Sequence, residues 1–287
     1  MVLKGPFVAA GLVAALLLGF GIARATAPAA TPAATSDPTT IPSHSHGGAV
    51  LGDLGGFSLS GAGFTLVPAA PPTFEAGVPR PFAFKIVGAD GRAVTKFVPN
   101  HDKLLHFIAI KHDLSGFQHR HPELAADGTW SIPLTLPSPG IWRLYSDFVT
   151  LDPAGQQVPL ALSIDATVAG NYSPLALPAA ARTADVDGFT VTYEGTPKVN
   201  ATQPLTFRVF SGGSPVTDLE KYLAAYGHLV VIRDGDLGYL HVHPEDQLVG
   251  GAVKFWLSAP SPGRYRMFFE FQKGGAVHRA EFTVDIQ

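Results

Sequence analysis

Short apolar runs cut by turn residues follow one another from residue 57 to the end of the chain. Phe57-Ser58-Leu59-Ser60 and Phe64-Thr65-Leu66-Val67 alternate apolar and polar positions, and Phe82-Ala83-Phe84-Lys85-Ile86-Val87 extends the pattern. An apolar side chain at every second residue lines one face of a strand. His106 to Lys111 is apolar on both alternations and reads as a buried strand. Asp113 to Gly116 is its turn, and Phe117 to His121 its return. Asp90-Gly91, Asp127-Gly128 and Pro137 to Gly140 are further breaks, each followed by strand-forming residues. The second half runs in the same order, through Phe189–Tyr193, Leu205–Phe210, His228–Arg233, Tyr239–His243, Val253–Leu257, Arg264–Phe271 and His278–Ile286. Helical periodicity is nearly absent. Only Leu219 to Tyr226 has room for a helical turn or short helix. The pattern predicts an all-β chain of two tandem immunoglobulin-like β-sandwiches.

The two halves repeat each other. His106-Phe107-Ile108-Ala109-Ile110 leads to His119-Arg120-His121-Pro122, and His228-Leu229-Val230-Val231-Ile232 leads to His241-Val242-His243-Pro244. The spacing His-x(12)-His-x-His-Pro is the same in both. Leu136 to Phe148 is answered by Ala259 to Phe271. The offset is 122 at the histidines (106 to 228) and 123 at the Pro-Gly break (140 to 263). Self-similarity of this kind marks duplicated units. It sets a first domain over 56–170, a join over 171–187 and a second domain over 188–287. Each unit has roughly 100 residues, enough for one core.

Ahead of the repeats, Lys4 precedes an apolar run over 6–23, and Ala23-Arg24-Ala25 and Ala25-Thr26-Ala27 fit a small-residue cleavage pattern. Residues 1–25 are expected to be a signal peptide or, if uncut, a membrane anchor, since about 18 apolar residues reach the lower limit for a spanning helix. The alternative is a cytosolic protein whose first helix is buried. Residues 26–55, rich in Ala, Thr and Pro, read as a disordered linker. His44 and His46 lie within it.

Composition narrows the chemistry. The chain of 287 residues has a formal net charge of −3, which gives no footprint for nucleic acid. It has no cysteine, so disulfides, thiolate metal sites and cysteine nucleophiles are excluded. Only Met1 and Met267 could offer thioether sulfur. There is no phosphate loop, nucleophile elbow or dinucleotide fingerprint, and an enzyme is not expected.

What remains is imidazole. Histidines two apart on a strand share a face. With the hairpin turn centred between Leu114 and Ser115, His119 is expected to face Ile110, and His121 to face Ile108, with His106 diagonal to His121. A one-residue slip would send His106 to the opposite face. Neutral imidazoles with a carboxylate suit Zn(II) or Cu(II). Asp147 and Glu270, equivalent in the repeats, are the candidate carboxylates. The expected sites are His106, His119, His121 and Asp147 in one domain, and His228, His241, His243 and Glu270 in the other. Arg143 and Arg266, four residues upstream of the acids, are rival salt-bridge partners. The competing account keeps these histidines as structural residues at strand ends. His101, His112 and His278 have no counterparts and are taken as surface or accessory residues.

The stretch Gly227 to Pro244, Gly-His-Leu-Val-Val-Ile-Arg-Asp-Gly-Asp-Leu-Gly-Tyr-Leu-His-Val-His-Pro, resembles exported two-domain bacterial proteins common in actinobacteria. These are hypothetical secreted or heavy-metal-binding proteins, remotely similar to YtkA-like domains. The resemblance covers roughly 57–286 and implies an extracytoplasmic immunoglobulin-like fold. CopC-type copper-resistance proteins also carry histidine and carboxylate ligands on a secreted sandwich, but this chain lacks their N-terminal ligand arrangement. The expected function is extracytoplasmic buffering, carriage or sensing of a divalent metal, Cu(II) favoured over Zn(II), by a protein secreted or anchored through residues 6–23. The alternative is a cell-surface interaction module with structural histidines.

Overall fold

The computed structural model of the chain describes residues 55–240 and 242–287. The signal or anchor segment, all but the last residue of the 26–55 linker, and His241 lie outside the described residues. Every regular element among those described is a strand.

Each repeat is a β-sandwich. In the first, the outer sheet runs Ser60–Gly61, Phe64–Pro68, Arg80–Val87, Thr129–Leu134, Glu123–Leu124. The inner sheet runs Thr73–Phe74, Gln157–Val168, Gly140–Leu151, Leu105–Lys111, Gln118–Arg120, with Phe97–Val98 also pairing on Gly140–Leu151. In the second, the outer sheet runs Thr183–Val186, Phe189–Glu194, Gln203–Ser211, Val253–Leu257, His243–Pro244, with Ser214–Pro215 beside Gln203–Ser211. Its inner sheet runs Tyr239–Leu240, His228–Arg233, Gly263–Lys273, Ala276–Ile286. Thr183–Val186 pairs with Phe189–Glu194, so the last residues of the expected join belong to the second sandwich.

Alternation explains the layers. Phe107 and Ala109 point into the first core with Phe84, Trp130, Trp142 and Phe148, while Leu229 and Val231 enter the second with Phe207, Phe255 and Phe269. The intervening Ile108, Ile110, Val230 and Ile232 point the other way and meet in a third core with Phe117, Tyr145, Tyr239 and Phe268. The inner sheets of the two repeats therefore face each other. Strands covered on both sides read as continuous apolar runs. The Phe117 and Phe268 rings stack with centroids 4.0 Å apart. Tyr145, the repeat equivalent of Phe268, lies 5.4 Å from Tyr239, the equivalent of Phe117. Gly55 adds to the second inner sheet by two hydrogen bonds with Tyr239 (2.8 and 3.0 Å). At Gly56, with φ +72°, a Cβ would stand 2.5 Å from the Tyr145 ring, so only glycine passes there.

Two local expectations are corrected. His119 pairs with Ile108, not Ile110. The turn closes with Lys111 N–H donating to the Ser115 carbonyl, and Gly116, at φ +72° beneath Trp142, adds a bulge residue before the ladder resumes. The shift of two residues keeps the face but moves His121 beside His106. Leu219 to Tyr226 is not helical. It holds a tight turn, Tyr222 to Ala225, with Leu223 and Ala224 both left-handed (φ 56° and 65°). Two consecutive left-handed residues define a type I′ reversal, which closes a hairpin. The equivalent turn in the first repeat is Asn100 to Lys103, with His101 and Asp102 at 48° and 62°.

Candidate metal centre

The His-x-His-Pro motif lies where the chain changes sheets. Gln118–Arg120 belongs to the inner sheet and Glu123–Leu124 to the outer one. Pro122, which has no N–H for a ladder, stands at the crossing. Tyr239–Leu240 and His243–Pro244 divide in the same way between the sheets of the second repeat. The crossing brings His119 and His121 to the end of the interface, beside His106 on the neighbouring strand.

There the two repeats share one cluster. His106 Nδ1 lies 3.0 Å from His119 Nε2, and His121 Nε2 lies 3.3 Å from His106 Nδ1. His228, from the second repeat, stacks on His106 (centroids 5.3 Å, interplanar 10°) and on His119 (4.5 Å, 24°). One ring nitrogen from each of His106, His119 and His228 lies within 4.8 Å of the others. His106 and His228 are buried. Burial, then the neighbouring His119, His106 and Lys103, pushes the His121 imidazole down to about 3, so His121 is neutral at ordinary pH.

The outer partners fix the tautomers. His106 Nε2 is 2.9 Å from the Asn100 carbonyl oxygen, which only accepts, so Nε2 carries the proton and Nδ1 a lone pair. His119 Nδ1 is 2.7 Å from Glu270 Oε2, and donation to that carboxylate leaves a lone pair on Nε2. Both inner nitrogens, 3.0 Å apart, thus present lone pairs to each other in the neutral rings. Two acceptors at that distance need a cation with them, a proton or a metal ion. Metal–nitrogen bonds near 2.0–2.1 Å place neighbouring ligand nitrogens about 3.3–3.4 Å apart in a tetrahedral set and about 2.9 Å apart in a square-planar one. The spacings of 3.0 and 3.3 Å around His106 Nδ1 lie between those two sets.

Both carboxylates make contacts across the interface between the repeats. Asp147 and Glu270 stand opposite His106 and His228 in the strand registers. Glu270 accepts from His119 of the other repeat, behind that ring. Asp147 Oδ2 accepts from the Tyr239 hydroxyl at 2.8 Å, again across the interface. Burial and the adjacent Asp147 charge hold the Tyr239 hydroxyl far above its ordinary range, so it remains a donor. The arginines turn elsewhere: Arg143 pairs with Asp165, its cross-strand neighbour, and Arg266 with Glu281. His241 lies outside the described residues, and for His243 only the backbone is described, paired with Trp256. His112 pairs with Asp165 and His278 with Asp187, both away from the cluster.

Sequence reasoning missed His101 and Tyr239. His101 sets its ring edge-on to His106 and His228, with centroids at 6.2 and 6.1 Å. At the repeat offset of 122 it aligns with Leu223, a buried leucine, and that match is the signal that the position faces inward.

Among solved structures, a Salmonella alpha-2-macroglobulin mutant is 13% identical with a TM-score of 0.29, over 81% of this chain and 15% of that one. The chain thus spans a small part of that protein's length. The N-terminal Ig1-2 module of the Drosophila receptor protein tyrosine phosphatase DLAR is 8% identical with a TM-score of 0.20, over 78% of this chain and 98% of that one. No curated protein matches the sequence. Residues 60–166 and 184–287, the two repeats, each match one family, and the chain belongs to that family, the domain of unknown function DUF8832.

Proposed function

We propose that this protein binds a divalent metal ion, Cu(II) in preference to Zn(II), in a site built jointly by its two repeats. The observation that carries this reading is the approach of His106 Nδ1 to His119 Nε2 at 3.0 Å, each ring hydrogen-bonded from behind to an acceptor. His121 stands beside them and His228 reaches in from the other repeat. All donors are imidazoles, and nitrogen sites without thiolate favour Cu(II) over Zn(II) in intrinsic affinity. The metal would be held by His106, His119 and His121, with His228 in reach. Glu270 and the Asn100 carbonyl orient the rings and raise their basicity. The role is binding rather than catalysis: extracytoplasmic buffering, carriage or sensing by a protein exported through residues 1–25. The N-terminal charge and apolar run support export.

Calorimetry with Cu(II) and with Zn(II), on a chain starting at Leu51 so that His44 and His46 are absent, tests this. The expected result is one tight ion per chain, lost in His119→Ala and in His106→Ala while each variant keeps its β circular dichroism. Parental affinity in both variants, or no uptake by the parent at neutral pH, would sink it.

A further inference from the structure

We infer that His101 is a further imidazole of this site, the one that first meets an incoming divalent ion and passes it to the inner cluster. The inference rests on the metal-binding reading above. His101 occupies the first central position of the Asn100–Lys103 turn, with a left-handed backbone that a β-carbon makes costly. Asp102 and Lys103, the next residues, are exposed, whereas the His101 Nε2 atom is buried. The side chain therefore spans the distance from the surface turn to the cluster. Its ring centroid is 6.2 Å from His106 and 6.1 Å from His228, one step outside the inner rings, which lie 4.5 to 5.3 Å apart.

The same turn does a second task. The carbonyl of Asn100 accepts from His106 Nε2 and so fixes that ring's inward lone pair. Movement of one turn thus links an outer imidazole to the orientation of an inner one. The second repeat has the turn without the imidazole. Leu223 takes the place of His101 at nearly the same φ and is buried. Of the two equivalent turns, that of the first repeat carries an imidazole and that of the second a leucine. A donor exchanged one at a time lowers the barrier for stripping water from the ion, and it lowers it equally for entry and exit.

Stopped-flow Zn(II) uptake by the full chain, and its release to a chromogenic chelator, reads the two rates. The variants are His101→Leu, which copies the second repeat, and His101→Asn, whose side chain tolerates the left-handed turn. In both, association and release are expected to slow together by about tenfold, one decade of the range over which on-rates of related complexes vary. The dissociation constant should then stay nearly unchanged, which a merely structural role would not produce. Parental rates in both variants overturn the inference and leave the metal site standing. A weakened dissociation constant at an unchanged association rate makes His101 a structural support and also overturns it. Failure of the parent to take up Zn(II) removes the metal reading and this inference together.

Discussion

Glu270→Gln isolates the contribution of the ring-locking carboxylate. The Glu270 side chain is 7% exposed and that of His119 is 0% exposed, so water cannot replace the bond between them. Glutamine is nearly isosteric, and its carbonyl can still accept from His119 Nδ1. What is lost is the charge. A hydrogen bond to a charged group is worth about 1.5–3 kcal/mol, against about 0.5–1.5 for a neutral one. The difference of about 1.4 kcal/mol corresponds to about tenfold in affinity. That is the lower end of the 10–100-fold range found for outer partners of metal-bound histidine. Thermal unfolding gives an independent reading. An ion at 100 times the parental dissociation constant stabilises the parent by about 2.7 kcal/mol, and the tenfold weaker variant by about 1.4 kcal/mol. With the two sandwiches unfolding as one unit of about 230 residues, the deficit amounts to about 3–5 °C in the metal-induced shift of Tm. Calorimetry and scanning with and without Zn(II) measure both. A variant with parental affinity would refute the tautomer argument, because His119 would then present its lone pair without help from Glu270.

Two further outcomes follow from the same contacts. His121 is held neutral in the fold, down to about 3, while an unfolded histidine protonates near 6.5. Its proton is taken up only on unfolding between those values, so stability of the metal-free protein is complete above about pH 6.5 and falls as pH drops below it. Urea midpoints measured across that window should decline less steeply in His121→Asn, and an unchanged slope would contradict the assignment. Tyr239→Phe removes a buried donor from Asp147 and should cost about 1–3 kcal/mol in urea unfolding. A cost near zero would show that the Tyr239 hydroxyl contributes nothing across the interface.

Much of this was legible from residue order. Alternation and turn chemistry mark the strands and the repeat marks the two sandwiches; of the spaced histidines, His106, His119, His121 and His228 stand together, while His241 and the His243 side chain lie outside what is described. The hairpin register was not legible, because it depends on where the turn closes, at Lys111–Ser115, and on a bulge at Gly116, where the distant Trp142 leaves no room for a side chain. The Leu223–Ala224 turn was hidden for a related reason. Neither residue favours a left-handed backbone, and the surrounding hairpin imposes it. Nor does local pattern reveal that each carboxylate serves the opposite repeat. Asp147 and Glu270 lie beside histidines of their own repeats in the ladder, and contact between the inner sheets brings Tyr239 and His119 to them.

The sequence does contain the sign of that contact. A sandwich strand with one wet face needs apolar residues only at alternate positions. Leu105 to Lys111 and His228 to Ile232 are buried at every position, which requires a second apolar layer on the far side. Because the repeats carry this excess at equivalent places, each supplies the layer the other lacks. The histidines open the same strands and the acids stand opposite them, so a near-twofold meeting of the inner sheets brings the two sets together by construction. The parallel stack of His106 on His228, equivalent residues of the two repeats, is the trace of that relation. The cluster is therefore a consequence of duplication. One repeat alone presents imidazoles on an apolar face, and only the pair encloses them, removes water from them and sets Glu270 behind His119.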